Sequence, residues 1–147
     1  MAVCLDASVL VKVLVQEPDS AAARRLLQAL RDSAEAPVVP CLAAFEVTSA
    51  LYGKLCASLV SLHDVRAGLE VLGDLPLEMM HPPSIHEEAV ALAQRLEKVS
   101  IYDAHYLALA QHLRCEFWTA DEDLFHAVAS QLPWVHSLSE MASEPRA

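Results

Sequence analysis

Short apolar runs alternate along this chain with stretches of helical periodicity, and that alternation restricts the fold more than any other feature. "AVCLD", "APVVP", "LPLEMMH", "CEFWT" and "PWVHS" each read as a short strand. Ala2 to Asp6 is the first, and a helix follows at once from Ser8 to Val15, with Leu10, Val13 and Leu14 at helical spacing. Glu17-Pro18-Asp19 breaks the chain, and Asp19 or Ser20 caps a helix to about Arg31. A helix from Leu42 to Cys56 follows Pro40. Ser61 and Asp64 have capping-box spacing before a helix that Gly73 ends. Ser84 and Glu87 repeat that spacing before a helix to Lys98, and Ser100 starts another through Leu113. Asp121 to Ser130 is the last helix, and a polar tail begins at Glu140, after a domain of residues 1–139. Strands alternating with helices predict an α/β fold, a mostly parallel sheet of short strands joined by right-handed crossovers. In such sheets ligands bind beyond the carboxyl ends of the strands.

A chain of 147 residues suits one domain with its own core. At 54% hydrophobic with three glycines, it reads as a compact, helix-rich globule. No apolar run approaches a membrane span, and the N-terminus lacks a basic n-region, so a cytoplasmic protein without membrane contact is expected. Cys4, Cys41, Cys56 and Cys115 show no CxxC pairing and lie among apolar neighbours, which predicts reduced core thiols. Ten basic against twenty acidic residues give a net charge of −10, which argues against tight nonspecific nucleic-acid binding through a large basic face.

Asp6 sits at the seam between two apolar runs, where an unpaired carboxylate is costly. Three more acids fall at equivalent places. Glu46 lies in the first turns of the helix after the second strand, on a face of Leu42, Ser49, Ala50 and Gly53. Asp103 lies in the first turn of the helix after Ser100, and Asp121 directly follows the "CEFWT" strand, with Asp123 two residues on. Each acid alone has a plain explanation. Asp6 and Asp121 suit helix N-termini, and Asp103 suits a capping box with Ser100. Capping explains Glu46 poorly. Together, four acids at one sheet edge would converge on a single pocket, and convergent carboxylates repel unless a cation joins them. Oxygen-only ligands select hard octahedral ions, Mg2+ or Mn2+.

The segments "CLDASVLVK", "AAFEVTSAL", "SIYDAHYLALA" and "FWTADEDLF" together resemble a PIN-domain ribonuclease, and more narrowly the VapC-type toxins of toxin–antitoxin pairs. The resemblance runs from about Ala2 to Val135. It implies a PIN-like α/β/α fold with a mostly parallel sheet of about five strands. It implies that Asp6, Glu46, Asp103 and Asp121 are catalytic, metal-binding acids, that Asp123 assists, and that Ser8 and Thr119 are polar positions beside the site. It implies hydrolysis of RNA phosphodiesters with bound Mg2+ or Mn2+, a homodimer, and a small antitoxin partner whose basic side chain reaches the acids. Lys12, Arg24, Arg25, Lys54, Arg95, Lys98 and Arg114 are candidates for steering the RNA backbone.

Other patterns are weaker. His105 and His112 lie two turns apart, but no HExxH motif or Cys/His grouping accompanies them, so scattered histidines are expected. Tyr102, Tyr106, Phe117, Trp118 and Phe125 are expected in the core rather than as base-stacking platforms. Two rival functions differ in class. One is a catalytically silent PIN fold that serves as a binding module. The other is a phosphatase or phosphotransfer domain with Asp6 as nucleophile, although Ser8 stands where a haloacid dehalogenase-type enzyme needs a second acid.

Overall fold

Every strand of this protein is short, so a stable sheet requires helices to bury both of its faces. The computed structural model describes residues 1–142. It contains β1 (Ala2–Leu5), α1 (Ala7–Leu14), α2 (Ser20–Asp32), β2 (Ala36–Pro40), α3 (Ala43–Cys56) and α4 (Leu62–Asp74). These are followed by β3 (Glu78–Met80), α5 (Ile85–Leu96), α6 (Ile101–Leu113), β4 (Glu116–Thr119), α7 (Glu122–Val128), β5 (Val135–Ser137) and α8 (Leu138–Ala142). The five strands form one parallel sheet in the order β3-β2-β1-β4-β5. The chain steps outward from β1 to β3, returns across the sheet to β4, and continues to β5. Right-handed crossovers place the helices of the outward path on one face and those of the return path on the other. The topology reverses between β1 and β4, and this position sets where a ligand crevice forms.

The return path supplies the densest layer. Tyr106, Leu107, Ala108, Leu109 and Ala110 of α6 are all fully buried. A helix apolar on every side is a core element, and α6 lies over β1, β2 and β4. On the other face α1 packs against α2, α3 and α4. No helix among the described residues is long and apolar enough to cross a membrane.

The expected elements are present, with local corrections. The Ser61–Asp64 capping box is formed. Its counterpart at Ser84 is not, because the Ser84 hydroxyl donates to Glu88 at 2.5 Å instead. Asp19 stands at the start of α2 in the left-handed region and makes no side-chain cap. Ser20 turns back, with Oγ accepting from Glu17 N–H at 2.9 Å and donating to the Val15 carbonyl at 3.1 Å. The polar tail expected from Glu140 begins inside α8, and residues 143–147 lie outside the described residues. Leu138 of α8 is buried, Arg25 donates to the Met141 carbonyl at 2.9 Å, and Glu140 accepts Ser137 N–H at 3.0 Å. Ser137 and Glu140 have capping-box spacing, the signal that marks this helix in the sequence. Cys4 is buried as expected, but Cys41 and Cys56 are exposed because they lie at the two ends of α3. Tyr106 and Phe117 are in the core, whereas Tyr102 is exposed on the outer side of α6.

The central role of α6 makes Leu109→Ala strongly destabilising, by about 2–5 kcal/mol, since it leaves a cavity in a fully packed layer. Leu59→Ala, at an exposed position, should change stability by less than about 0.5 kcal/mol. Denaturant unfolding of the two variants should reproduce that contrast.

Candidate carboxylate site

The parallel pairing of β1 with β4 brings Leu5 opposite Trp118, so the residues just beyond each strand meet. Asp6 follows β1, and Thr119 to Asp121 end β4 and enter α7. On its other side β1 pairs with β2, which places the start of α3, and Glu46, at the same edge. The first turn of α6 contributes Asp103. One open cavity of about 460 Å³ is lined by Asp6, Ser8, Lys12, Glu17, Glu46, Lys54, Asp103 and Asp121, together with small apolar residues. All four acids singled out in the sequence therefore share a pocket.

Asp6 is buried and occupies the N-cap position of α1, yet its side chain makes no cap hydrogen bond. Its carboxylate is held from the side instead. Ser8 Oγ donates to Asp6 Oδ2 at 2.5 Å, and Thr119 Oγ1 donates to the same oxygen at 2.8 Å. Each hydroxyl accepts in turn from the β4–α7 junction. Ala120 N–H donates to Ser8 Oγ at 2.9 Å and Asp121 N–H to Thr119 Oγ1 at 3.0 Å. Burial still dominates. It pushes the Asp6 pKa from its ordinary 3.8 up to about 6, against the two hydroxyls and with a further push from the Asp103 and Glu46 charges.

Glu46 and Asp103 are raised as well, in both cases chiefly by burial. The Tyr106 hydroxyl opposes the shift of Glu46 and the Asp103 charge adds to it. For Asp103, Ser100 opposes and the Asp121 charge adds. Ser100 Oγ also accepts Asp103 N–H at 3.1 Å, which is half of the expected capping box. Asp121 does cap its helix, with Oδ1 accepting from Leu124 N–H at 3.1 Å. Its plain explanation therefore holds alongside its place in the pocket.

Among the described residues, two buried side-chain polar atoms lack a hydrogen-bond partner, Glu46 Oε1 and the Tyr106 hydroxyl oxygen. Tyr106 lies close enough to favour the charged Glu46, but the pair falls short of a well-formed hydrogen bond. Burial first, then the charges of Asp6 and Glu46, push the phenol far above its usual range. Tyr106 is a core residue, as expected, but its hydroxyl reaches the carboxylates, which periodicity does not reveal.

The remaining candidates divide. Ser8 lines the pocket and Thr119 lies buried behind Asp6. Asp123 does neither. It is exposed on α7 and is not part of the pocket wall, because two residues past the N-cap it turns away. Of the basic candidates, Lys12 and Lys54 line the pocket, whereas Arg114 lines a cavity with Met1 and Trp134 at the opposite edge of the sheet. Glu17, which carried no signal in the sequence beyond breaking the chain, lies between the two lysines. Among the described residues, no three Asp, Glu, His or Cys side chains already stand in a metal-caging arrangement. The histidines do not form one either. His86 and His105 contact each other at 2.9 Å, and His112 contacts Glu88 at 3.0 Å. The pocket nevertheless suits a hard divalent cation. Its acidic donors are all oxygen, they repel one another, and one of them is buried without a partner.

The sequence matches the family described as PIN domain over residues 3–131. A comparison with curated protein sequences finds no match. Among solved structures, a toxin–antitoxin complex from Klebsiella pneumoniae is similar at 20% identity and a TM-score of 0.65, over 92% of this chain and 97% of that one. VapBC2 from Rickettsia felis, bound to a promoter DNA fragment, is similar at 13% identity and a TM-score of 0.67, over 93% and 98%. The Sarcin-Ricin loop cleaving toxin VapC20 of Mycobacterium tuberculosis is similar at 14% identity and a TM-score of 0.65, over 86% and 95%. At these identities the likeness is one of fold.

The raised Asp6 pKa has a consequence for stability. The folded state binds this proton more tightly than the unfolded chain, so the ionised group is a penalty that is absent below about pH 4 and complete above about pH 6. At pH 7 it amounts to on the order of 2–3 kcal/mol. With EDTA present, Asp6→Asn should match the wild type at low pH and melt higher at pH 7. A carboxylate that served as a helix cap would give the reverse, with the variant melting lower at pH 7.

Proposed function

The chain belongs to the PIN domain family, and on that basis we propose that it is a divalent-metal-dependent endoribonuclease, the toxin of a toxin–antitoxin pair. The observation that carries this proposal is the single pocket lined by Asp6, Glu46, Asp103 and Asp121 at the switch point of the sheet. These four acids would hold Mg2+ or Mn2+. When bound, the ion supplies Lewis-acid polarisation of the phosphoryl oxygen and lowers the pKa of water.

The chain's own groups divide the remaining work. Ser8 and Thr119 fix the orientation of Asp6 by occupying Oδ2. Asp121 commits Oδ1 to the cap of α7, which leaves Oδ2 for the pocket. Glu46 lines the pocket, and its Oε1 is buried without a donor, so the carboxylate keeps unused capacity to hold a cation. Burial raises its pKa above the ordinary carboxylate value, and the Asp103 charge adds to the shift.

The same helix that carries Glu46 presents apolar surface outward. Phe45 is 79% exposed and Tyr52 is 64% exposed. An antitoxin segment laid over α3 would cover these rings and bring a basic side chain to the carboxylates. A homodimer belongs to the same proposal, and light scattering should give twice the mass of the chain. The fold neighbours from Klebsiella pneumoniae and Rickettsia felis, solved as toxin–antitoxin assemblies, support the partner assignment.

The test is cleavage of a single-stranded oligoribonucleotide by the purified full chain. Activity should require Mg2+ or Mn2+, vanish in EDTA, and fall at least a hundredfold in Asp6→Asn or Asp103→Asn. Millimolar Mn2+ should also stabilise the wild type, by about 2.7 kcal/mol at a hundredfold excess over the dissociation constant, and should do so much less in either variant. A protein that binds partners but cleaves nothing under these conditions is the silent PIN module instead.

A further inference from the structure

A pocket of four carboxylates in a protein of net charge −10 must still admit a polyanion. Bound cations offset the charge at the reacting phosphate only. The neighbouring phosphates of a single strand need their own partners. Among the described residues, two cationic side chains line the pocket, Lys12 and Lys54. Lys12 leaves α1 one turn beyond Ser8. Lys54 leaves α3 eight residues beyond Glu46, about 12 Å along the axis. Both therefore stand along the wall of the pocket, away from the carboxylate end.

The two ammonium groups are tethered by one carboxylate. Glu17 Oε2 lies 2.5 Å from Lys54 Nζ, and Glu17 Oε1 lies 3.5 Å from Lys12 Nζ. Lys12 Nζ also donates to the Pro18 carbonyl at 2.8 Å. The turn that presents Glu17 is itself fixed, because Ser20 Oγ accepts Glu17 N–H and Ser20 N–H donates to the Glu17 carbonyl at 3.1 Å. The side chains of Lys12, Lys54 and Glu17 are 17%, 24% and 20% exposed, so they are mostly shielded yet open to the cavity. Two cations against one anion leave a net positive charge on this wall. Two other basic residues of the outward path are engaged elsewhere: Arg24 bonds Gln16, and Arg25 bonds the carbonyl of Met141.

We propose that Lys12 and Lys54 bind RNA phosphates flanking the reacting one, and that Glu17 is a positioning residue that holds both ammonium groups at the pocket wall. The assignment rests on the nuclease function proposed above. It differs from a purely structural staple between the α1–α2 turn and α3, which would act on folding alone.

The experiment is steady-state cleavage of a single-stranded oligoribonucleotide with Mn2+, by the full chain, between about 50 and 300 mM salt. Lys12→Met and Lys54→Met should each raise KM about five- to tenfold with kcat within about twofold. Each should also flatten the dependence of log(kcat/KM) on log salt by about 0.7. Lys→Arg at either position should restore the slope, and Arg24→Met should leave it unchanged. Glu17→Gln should keep the slope, since both lysines remain charged, while raising KM because they are no longer held. Lysine variants that melt lower but keep the wild-type KM and slope would overturn the proposal in favour of a staple. A lower KM in Glu17→Gln would overturn the positioning role, making Glu17 merely a competing anion. Failure of the wild type to cleave would instead remove the nuclease assignment, and this inference with it.

Discussion

The site depends on how one buried carboxylate is satisfied. Asp6 lies where β1 passes into α1, and desolvation there opposes its charge. Two hydroxyls supply the compensation, and both arrive from positions set by the fold. Ser8 is in the first turn of α1 and Thr119 is at the end of the paired strand β4. Because each hydroxyl also accepts a backbone N–H at the β4–α7 junction, Asp6 ties two strand–helix junctions together. The compensation is incomplete, and burial still raises the pKa. A group satisfied to that degree holds its position while remaining responsive to a cation.

The surrounding pocket extends the same compromise. The Asp103 and Glu46 charges raise the pKa of Asp6, Asp103 raises that of Glu46 and Asp121 that of Asp103, and the buried Tyr106 hydroxyl lies beside Glu46 without completing a hydrogen bond. Such an arrangement costs stability in the metal-free protein and is held in place by the apolar mass of α6 packed over the sheet. Functional sites often keep strain of this kind where the surrounding core is strong enough to enforce it. The Lys12–Glu17–Lys54 group gives the opposite wall the opposite sign. The net charge of −10 is therefore a poor guide to the field at the pocket, which is set by a few groups within ångströms of it.

Much of this was legible in the order of residues. The switch between apolar runs and helical periodicity marks the five strands among the described residues; β1 and β2 are buried almost throughout and so nearly all apolar, whereas the edge strand β3 is largely exposed. The Ser61–Asp64 capping box is a contact between residues three apart, so it is readable from spacing alone. The failed box at Ser84 shows the limit. There a glutamate one residue further along, Glu88, took the hydroxyl. Helix α8 was missed, since a polar tail was expected from Glu140; Ser137 and Glu140 have the spacing that could have found it, and Leu138 reaching the core and Arg25 from α2 anchor it. Asp123 looked equivalent to Asp121, yet two residues along a helix point in different directions, and it faces solvent.

By itself the sequence determined the strand–helix alternation, the α/β class and the identity of four acids at helix starts, since each follows from local spacing and burial. Whether those acids meet was decided by the tertiary structure. Residues 6, 46, 103 and 121 converge only because the sheet order puts β2 and β4 on either side of β1 and carries α6 back over them. The same holds for Glu17 between its two lysines, a contact that joins a turn to a helix 37 residues away. Local chemistry selects elements, but long-range contacts depend on which strands pair and which faces pack, and no short-range pattern encodes that choice.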